Sequence, residues 1–302
     1  EGIEPVTIDS GFYITEQERQ FWSFKPVIRP VLPTVIDSQL ARNPIDLFLL
    51  DKLENAELTF SSQAEREVLI RRAYLDLTGL PPTPQAAQSF VANDDPAAYE
   101  DLIDQLLAMP QYGERWGRHW LDAAGYADSE GQADADVERP WAYFYRDYVV
   151  KSFNQGKPYD QFIQEQLAGD ELIGSQIADM TAEQVEMLAG TGYLRMVADG
   201  TGSGTGDDEG RNAVVSDTLK MVTSSLTGLT VGCAQCHHHR YDPISQKDYY
   251  RIRAIFEPAL NWKAWKAPQN RQISLYTQVD REAKASTEAK IKEIEAERVK
   301  KQ

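Results

Sequence analysis

Three times in the first hundred residues a capping side chain is followed directly by proline, at Asn43-Pro44, Thr83-Pro84 and Asp95-Pro96. The Asn, Thr or Asp oxygen accepts a free N–H of the first helical turn, and proline fits the next position because its missing N–H has no partner to lose there. Each pair therefore opens a helix. Ile45, Phe48, Leu49 and Leu53 give the first its apolar face, and Leu102, Leu106 and Leu107 do the same for the third. Between them, Ser62 and Glu65 read as a capping box for a helix with Val68, Leu69, Ala73, Leu75 and Leu77 inside, ended by Gly79-Leu80-Pro81-Pro82. The same periodicity predicts helices over 112–125, 139–154, 158–168, 181–188, 211–228 and 246–256. Alternating strand-like runs are scarce, so the fold class is mainly α.

The flanks differ. Residues 1–42 carry Phe21, Trp22 and Phe24 and then Pro26, Pro30 and Pro33, which favours an extended strap lying across the domain. Val279 to Gln302 reads as one helix of Lys, Glu and Ala with Ile291, Ile294 and Val299 as its few apolar points, a polar helical arm. The expected organisation is a strap or linker over 1–42, a helical body over 43–260, and a linker with that arm over 261–302.

Charge and length narrow the partners. With a formal charge of −16 over 302 residues, the chain repels phosphate backbones, which excludes nucleic acid as a partner. No apolar run is long enough to span a membrane. The acid gathers at Asp128, Glu130, Asp134, Asp136 and Glu138 and again at Asp207, Asp208 and Glu209. Both clusters read as solvated loops, and Asp128, Asp134 and Asp136 are also candidate calcium ligands. Gly200 to Gly206 lacks the Lys-Ser/Thr ending of a phosphate-binding loop and reads as a flexible connection.

Both cysteines of the chain lie in Cys233-Ala234-Gln235-Cys236-His237. This is the pattern for c-type haem attachment, in which two thiols a short turn apart add to the two haem vinyl groups and the next imidazole lies under the iron. Cys233, Cys236, His237 and His239 are thus the candidate cofactor-binding residues, with His237 as proximal iron ligand. A zinc site could draw on Cys233, Cys236 and His239, but no second paired element supplies a fourth ligand. A redox dithiol expects an α/β setting that this sequence does not offer. Haem c is attached outside the cytoplasm, so the expected compartment is periplasmic or secreted. The other face of the iron could be met by His119 or Met221, of which His119, distant from the motif and on an aromatic helix, is the stronger candidate. His238 and His239 stand too close to His237 to cross the haem and are expected at its edge.

Several longer stretches point the same way: Phe21-Trp22-Ser23-Phe24-Lys25-Pro26, Asn43-Pro44-Ile45-Asp46, Leu75 through Pro84, Tyr112-Gly113-Glu114-Arg115-Trp116 through Asp128, Gln166-Leu167-Ala168-Gly169-Asp170, and Gly228 through Gly232 before the haem motif and Tyr241-Asp242-Pro243-Ile244. From about residue 20 to 258 the chain resembles the planctomycete-type cytochrome c family. The resemblance implies a multi-helix c-type cytochrome domain, the middle part of a secreted three-part protein. A smaller cytochrome c domain would precede it and a C-terminal domain would follow the arm. Glu1 in place of Met agrees with an upstream segment having been removed. One departure is local: the family commonly has an acidic residue where His238 stands. The resemblance also implies bacteria rich in carbohydrate-degrading enzymes.

Function is therefore expected to be electron transfer or haem-dependent oxidoreduction outside the cytoplasm, with a carbohydrate as candidate substrate and a redox protein or the adjacent cytochrome c domain as partner. One haem needs far fewer residues than these, so the extra mass suggests a binding site. Tyr126, Asp128, Glu130, Arg139, Trp141, Tyr143, Tyr145 and Arg146 offer aromatics and polar groups for a sugar, with His119, Tyr126, Asp128 and Arg146 as catalytic candidates. The competing reading is a non-catalytic glycan- or protein-binding module with a structural haem.

Overall fold

The computed structural model describes residues 14–131, 136–174, 178–202 and 208–300. Among these the regular structure is helical, with one isolated bridge between Ser129 and Glu138. The chain divides into two compact units, one formed by the residues up to Ala73 with Pro81–Ala98, the other by Tyr74–Leu80 with everything from Tyr99 onward.

The first unit begins with α1 (Glu16–Arg19), whose Thr15 and Glu18 form a capping box. The strap beyond it is largely irregular, apart from short 3-10 turns at Trp22–Phe24 and Ser38–Leu40. It does not bury its aromatics: Trp22 is 77% exposed, and Phe21, Val27, Ile28 and Val31 also face solvent. Its end is held instead, because Ile36 and Asp37 donate their N–H groups to the Glu54 carboxylate at 2.9 and 3.0 Å. Glu54 closes α2 (Pro44–Glu54), which opens as predicted, with Asn43 Oδ1 accepting from Ile45 at 2.8 Å and Asp46 answering the Asn43 N–H. The next helix, α3 (Arg66–Thr78), starts beyond the Ser62–Glu65 box and takes the Glu65 carbonyl as its first acceptor. Val68 lies on its exposed side, while Ile70 and Ala73 are buried. In α4 (Pro84–Val91) the C-terminal carbonyl of Phe90 receives the Arg66 guanidinium, which also covers the Phe90 ring at 4.3 Å.

The second unit holds α5 (Ala98–Leu107), α6 (Pro110–Ala124), α7 (Tyr143–Asn154), α8 (Tyr159–Leu172), α9 (Ala182–Gly190), α10 (Asp208–Thr227), α11 (Gln246–Ala259) and α12 (Gln278–Lys300). Glycine lets α6 and α7 approach closely. A Cβ on Gly113 of α6 would lie 2.4 Å from the Val150 carbonyl oxygen of α7, so only hydrogen fits. Asn154 then caps the approach, accepting from Gly113 N at 2.8 Å and donating to Pro110 O. Helix α7 begins at Tyr143 rather than 139 because Arg139 is engaged elsewhere, its N–H on Asp128 O and its guanidinium on Met196 O and Val197 O. Helix α8 continues past 168 through a kink at Ala168.

Two cores share α10. One gathers Tyr145, Tyr148, Val149, Phe162, Tyr193, Met221 and Val222; the other gathers Val215, Leu219, Val231, Ala234, Tyr249 and Leu260. Burial on both sides explains why α10 shows little amphipathic pattern. The arm α12 buries no residue, in keeping with its composition, and Arg281 pairs with Asp179 at 2.9 Å. No helix among the described residues is long and apolar enough to cross a membrane.

Candidate functional site

The turn that carries both cysteines is anchored through its middle. Val231 and Ala234 are buried in the second core, and Gly232–Gln235 form a 3-10 turn with Ala234 N donating to Val231 O at 2.9 Å. Gln235 is bonded from two helices. Its side-chain oxygen accepts from Ser216 of α10 at 2.9 Å, and its carbonyl accepts from Gln246 and Tyr250 of α11 at 3.1 Å each. With the two central residues fastened inward, the flanking cysteines point out: Cys233 and Cys236 are free thiols and both exposed. His237 is exposed beside them.

The His237 ring is oriented by its backbone. Its Nδ1 lies 2.6 Å from the His238 carbonyl oxygen and donates to it, which places the proton on Nδ1 and leaves the Nε2 lone pair outward. Metal-ligating histidines commonly carry this second hydrogen bond. Nε2 has no hydrogen-bond partner among the described residues.

The neighbouring histidines face the other way. His239 is buried, and its Nδ1 accepts from the backbone N–H groups of Tyr241 and Asp242 at 3.3 and 2.9 Å. Its Nε2 stands 3.5 Å from Thr230 Oγ1, and its own N–H bonds Ile244 O. It folds the Tyr241-Asp242-Pro243-Ile244 loop, a role within the chain that uses both ring nitrogens. His238 Nδ1 accepts from Gln246 N at 3.0 Å, the first N–H of α11. A carboxylate can accept the same N–H, so an acidic side chain at this place has equivalent work at the helix N-terminus.

The other candidates are dispersed. His119 is exposed on α6, edge-on to Trp116 at 5.5 Å. Met221 packs in the first core, its sulfur 4.0 Å from Ser225 Oγ. Tyr126 donates to Asp128 Oδ1 at 2.6 Å, and burial together with that carboxylate pushes the phenol up to about 12, while Arg146 acts on it in the opposite sense. Tyr126, Asp128 and Arg146 therefore form one interacting group. Tyr145 does not belong to a sugar-binding surface, because its ring is buried in the first core and its hydroxyl is committed to Gln166. Of the calcium candidates, Asp128 is occupied by Tyr126, Asp136 accepts from Gly131 N at 2.9 Å, and Asp134 lies outside the described residues. Among the described residues no three His, Cys, Asp or Glu side chains converge as a metal cage.

Gln235, Ser216, Gln246 and Tyr250, which anchor the turn, were not singled out by sequence reasoning. The only available signal was that the two residues between the cysteines needed anchoring somewhere.

A family model described as PSCyt2, a protein of unknown function (DUF1549), matches residues 44–260. No curated protein and no solved structure matches the chain significantly.

Proposed function

We propose that this chain, which belongs to the PSCyt2 family, holds one haem c through thioether bonds from Cys233 and Cys236, with His237 Nε2 as proximal iron ligand. The observation that carries this reading is the outward presentation of two free thiols and one backbone-oriented imidazole from a turn whose middle is locked into the core. A dithiol meant to close on itself needs no adjacent oriented imidazole, and a zinc knuckle needs ligands that do not converge here. Bound haem would supply a one-electron couple whose potential depends on its axial ligands and exposure. The chain's own share is to keep the thiols accessible and to fix the imidazole.

The activity that follows is electron transfer or haem-dependent oxidoreduction outside the cytoplasm, with an adjacent cytochrome c domain or a redox protein as electron partner. His119 is the candidate sixth ligand; its exposed ring is open to ligation. Calcium in the Asp128–Glu138 loop is a secondary proposal, read by the melting temperature with calcium against chelator.

The test is expression with export and a c-type maturation system, followed by a visible spectrum before and after denaturation. A Soret band that stays with the denatured chain is the expected result. Stoichiometric zinc without a Soret band would refute the reading.

A further inference from the structure

A cavity of about 420 Å³ opens in the second unit among Glu130, Arg139, Trp141, Arg195, Asp199 and Arg271. Its charges are unevenly matched. Arg139, with a side chain only 10% exposed, bonds Glu130 at 2.6 Å and two backbone carbonyls, but its Nε is buried with no partner among the described residues. Arg271 lies 2.6 Å from Asp199 in an ion pair, and its Nη2 is likewise buried and unpartnered. Arg195 has the least support. Its Nη1 is buried without a partner, and burial together with neighbouring Arg271 pushes its pKa down to about 10, against the opposing pull of Asp199 and Asp170.

Among the described residues three guanidiniums thus face two buried carboxylates, one of which, Asp199, also keeps a buried oxygen without a hydrogen bond, while Glu138 at the rim and Asp170 beside Arg195 are exposed to solvent and screened. Among the described buried groups one positive charge remains unmatched. A buried guanidinium N–H without an acceptor is costly, and folded chains tolerate such groups mainly where a ligand completes them. A surplus of one charge suits a singly charged oxyanion, and the planar donor fork of arginine suits a carboxylate. The rim adds a second kind of surface: the Trp141 ring is 55% exposed beside Pro140, with Pro268 also lining the opening. Flat apolar walls of this kind take the face of a ring.

We infer that this cavity binds a ring-bearing carboxylate, its anionic group held by Arg195 and Arg271 and its ring laid against Trp141. The site is distinct from the cysteine turn and does not depend on haem being bound. It is nevertheless packed into the same unit. Arg271 lies over the Trp265 ring at 4.9 Å, and Trp265 packs on the core that contains Ala234.

Calorimetric titration of the full chain with glucuronate, benzoate, glucose and inorganic phosphate tests the inference. At least one of the two acids should bind tenfold or more tightly than both glucose and phosphate, and which acid it is separates a sugar acid from an aromatic one. Arg195→Met should weaken that binding at least tenfold while leaving the melting temperature unchanged or higher, since an unmatched buried charge is removed. Should Arg195→Met not fold, Trp141→Ala, on the exposed rim, should still weaken binding several-fold at an unchanged melting temperature. Phosphate binding as tightly as the acids, neither acid binding, or full affinity in a folded variant would each overturn the inference. The Soret band of the same samples reports haem separately, so one reading can fail without the other.

Discussion

The first core and the cysteine turn both rest on one helix, α10, and treat polar groups in opposite ways. In the core every polar group of a linked set is used inward. Trp120 Nε1 donates to Gln166 Oε1 at 2.8 Å, Tyr145 OH donates to the same oxygen at 2.7 Å, and Gln166 Nε2 returns to Phe162 O. Tyr148 OH donates to Glu165 at 2.9 Å, joined there by Lys157 and Gln161. At the cysteine turn only the scaffold is satisfied, through Gln235, while two thiols and one imidazole nitrogen are left to the outside. Groups that hold the fold are closed off, and the groups proposed to hold haem are kept open.

Breaking the open side should have the largest effect. Cys233→Ala or Cys236→Ala should abolish haem retention through both thioethers, leaving at most a single bond, and Cys233→Ala/Cys236→Ala should lose all haem on denaturation, as gel haem staining would report. If the double variant still stains, attachment lies elsewhere. His237→Ala should leave the thioethers able to form but change the Soret and visible bands, because the proximal nitrogen is gone.

Breaking the closed side should cost stability and leave the spectrum alone. Gln166→Ala leaves the Tyr145 hydroxyl without its acceptor, leaves the Trp120 N–H only its contact with Tyr145 OH at 3.0 Å, and opens a void, a loss of about 3 kcal/mol in denaturant unfolding. A loss well under half of that would mean water replaces the glutamine, and the network would not be closed.

A pH experiment sharpens the same contrast. Burial pushes Glu165 up, but hydrogen bonds from Lys157, Gln161 and Tyr148 outweigh it and hold the carboxyl below its ordinary 4.5. A depressed folded pKa contributes stability that is complete above the unfolded value and lost as pH falls through the folded one. Lys157→Met should therefore lower stability at pH 7 and flatten its dependence on pH below about 4.5. An unchanged acid limb would show that the lysine does not set this carboxyl.

The smallest expected effect is at His119, exposed on α6 beside Trp116. If it closes the iron, His119→Ala should turn a low-spin spectrum high-spin and open the reduced protein to carbon monoxide. A wild-type protein already high-spin and unmoved by the substitution would remove His119 and leave the sixth position open for chemistry.

Much of this was legible from residues in a row. Asn43-Pro44 and Thr83-Pro84 start helices because a cap and its first turn are neighbours in sequence, and the polar arm buries nothing because its own composition allows nothing else. The Ser62–Glu65 box failed, and the start at 139 failed, where a competing partner for Arg139 won. The loop contacts of His239 were not legible in the sequence: the backbone N–H groups of Tyr241 and Asp242, two and three residues on, donate to its Nδ1.

By itself the sequence determined the helical class, the polar helical arm and the Cys233-Ala234-Gln235-Cys236-His237 turn, since each depends on residues within a few positions of one another. Tertiary structure alone decided which way that turn faces and which charges meet. The thiols point out because Ser216, Gln246 and Tyr250 hold Gln235 from two helices. Arg139, Arg195 and Arg271 share a cavity because chain segments far apart in sequence pack together, and no local spacing encodes that meeting.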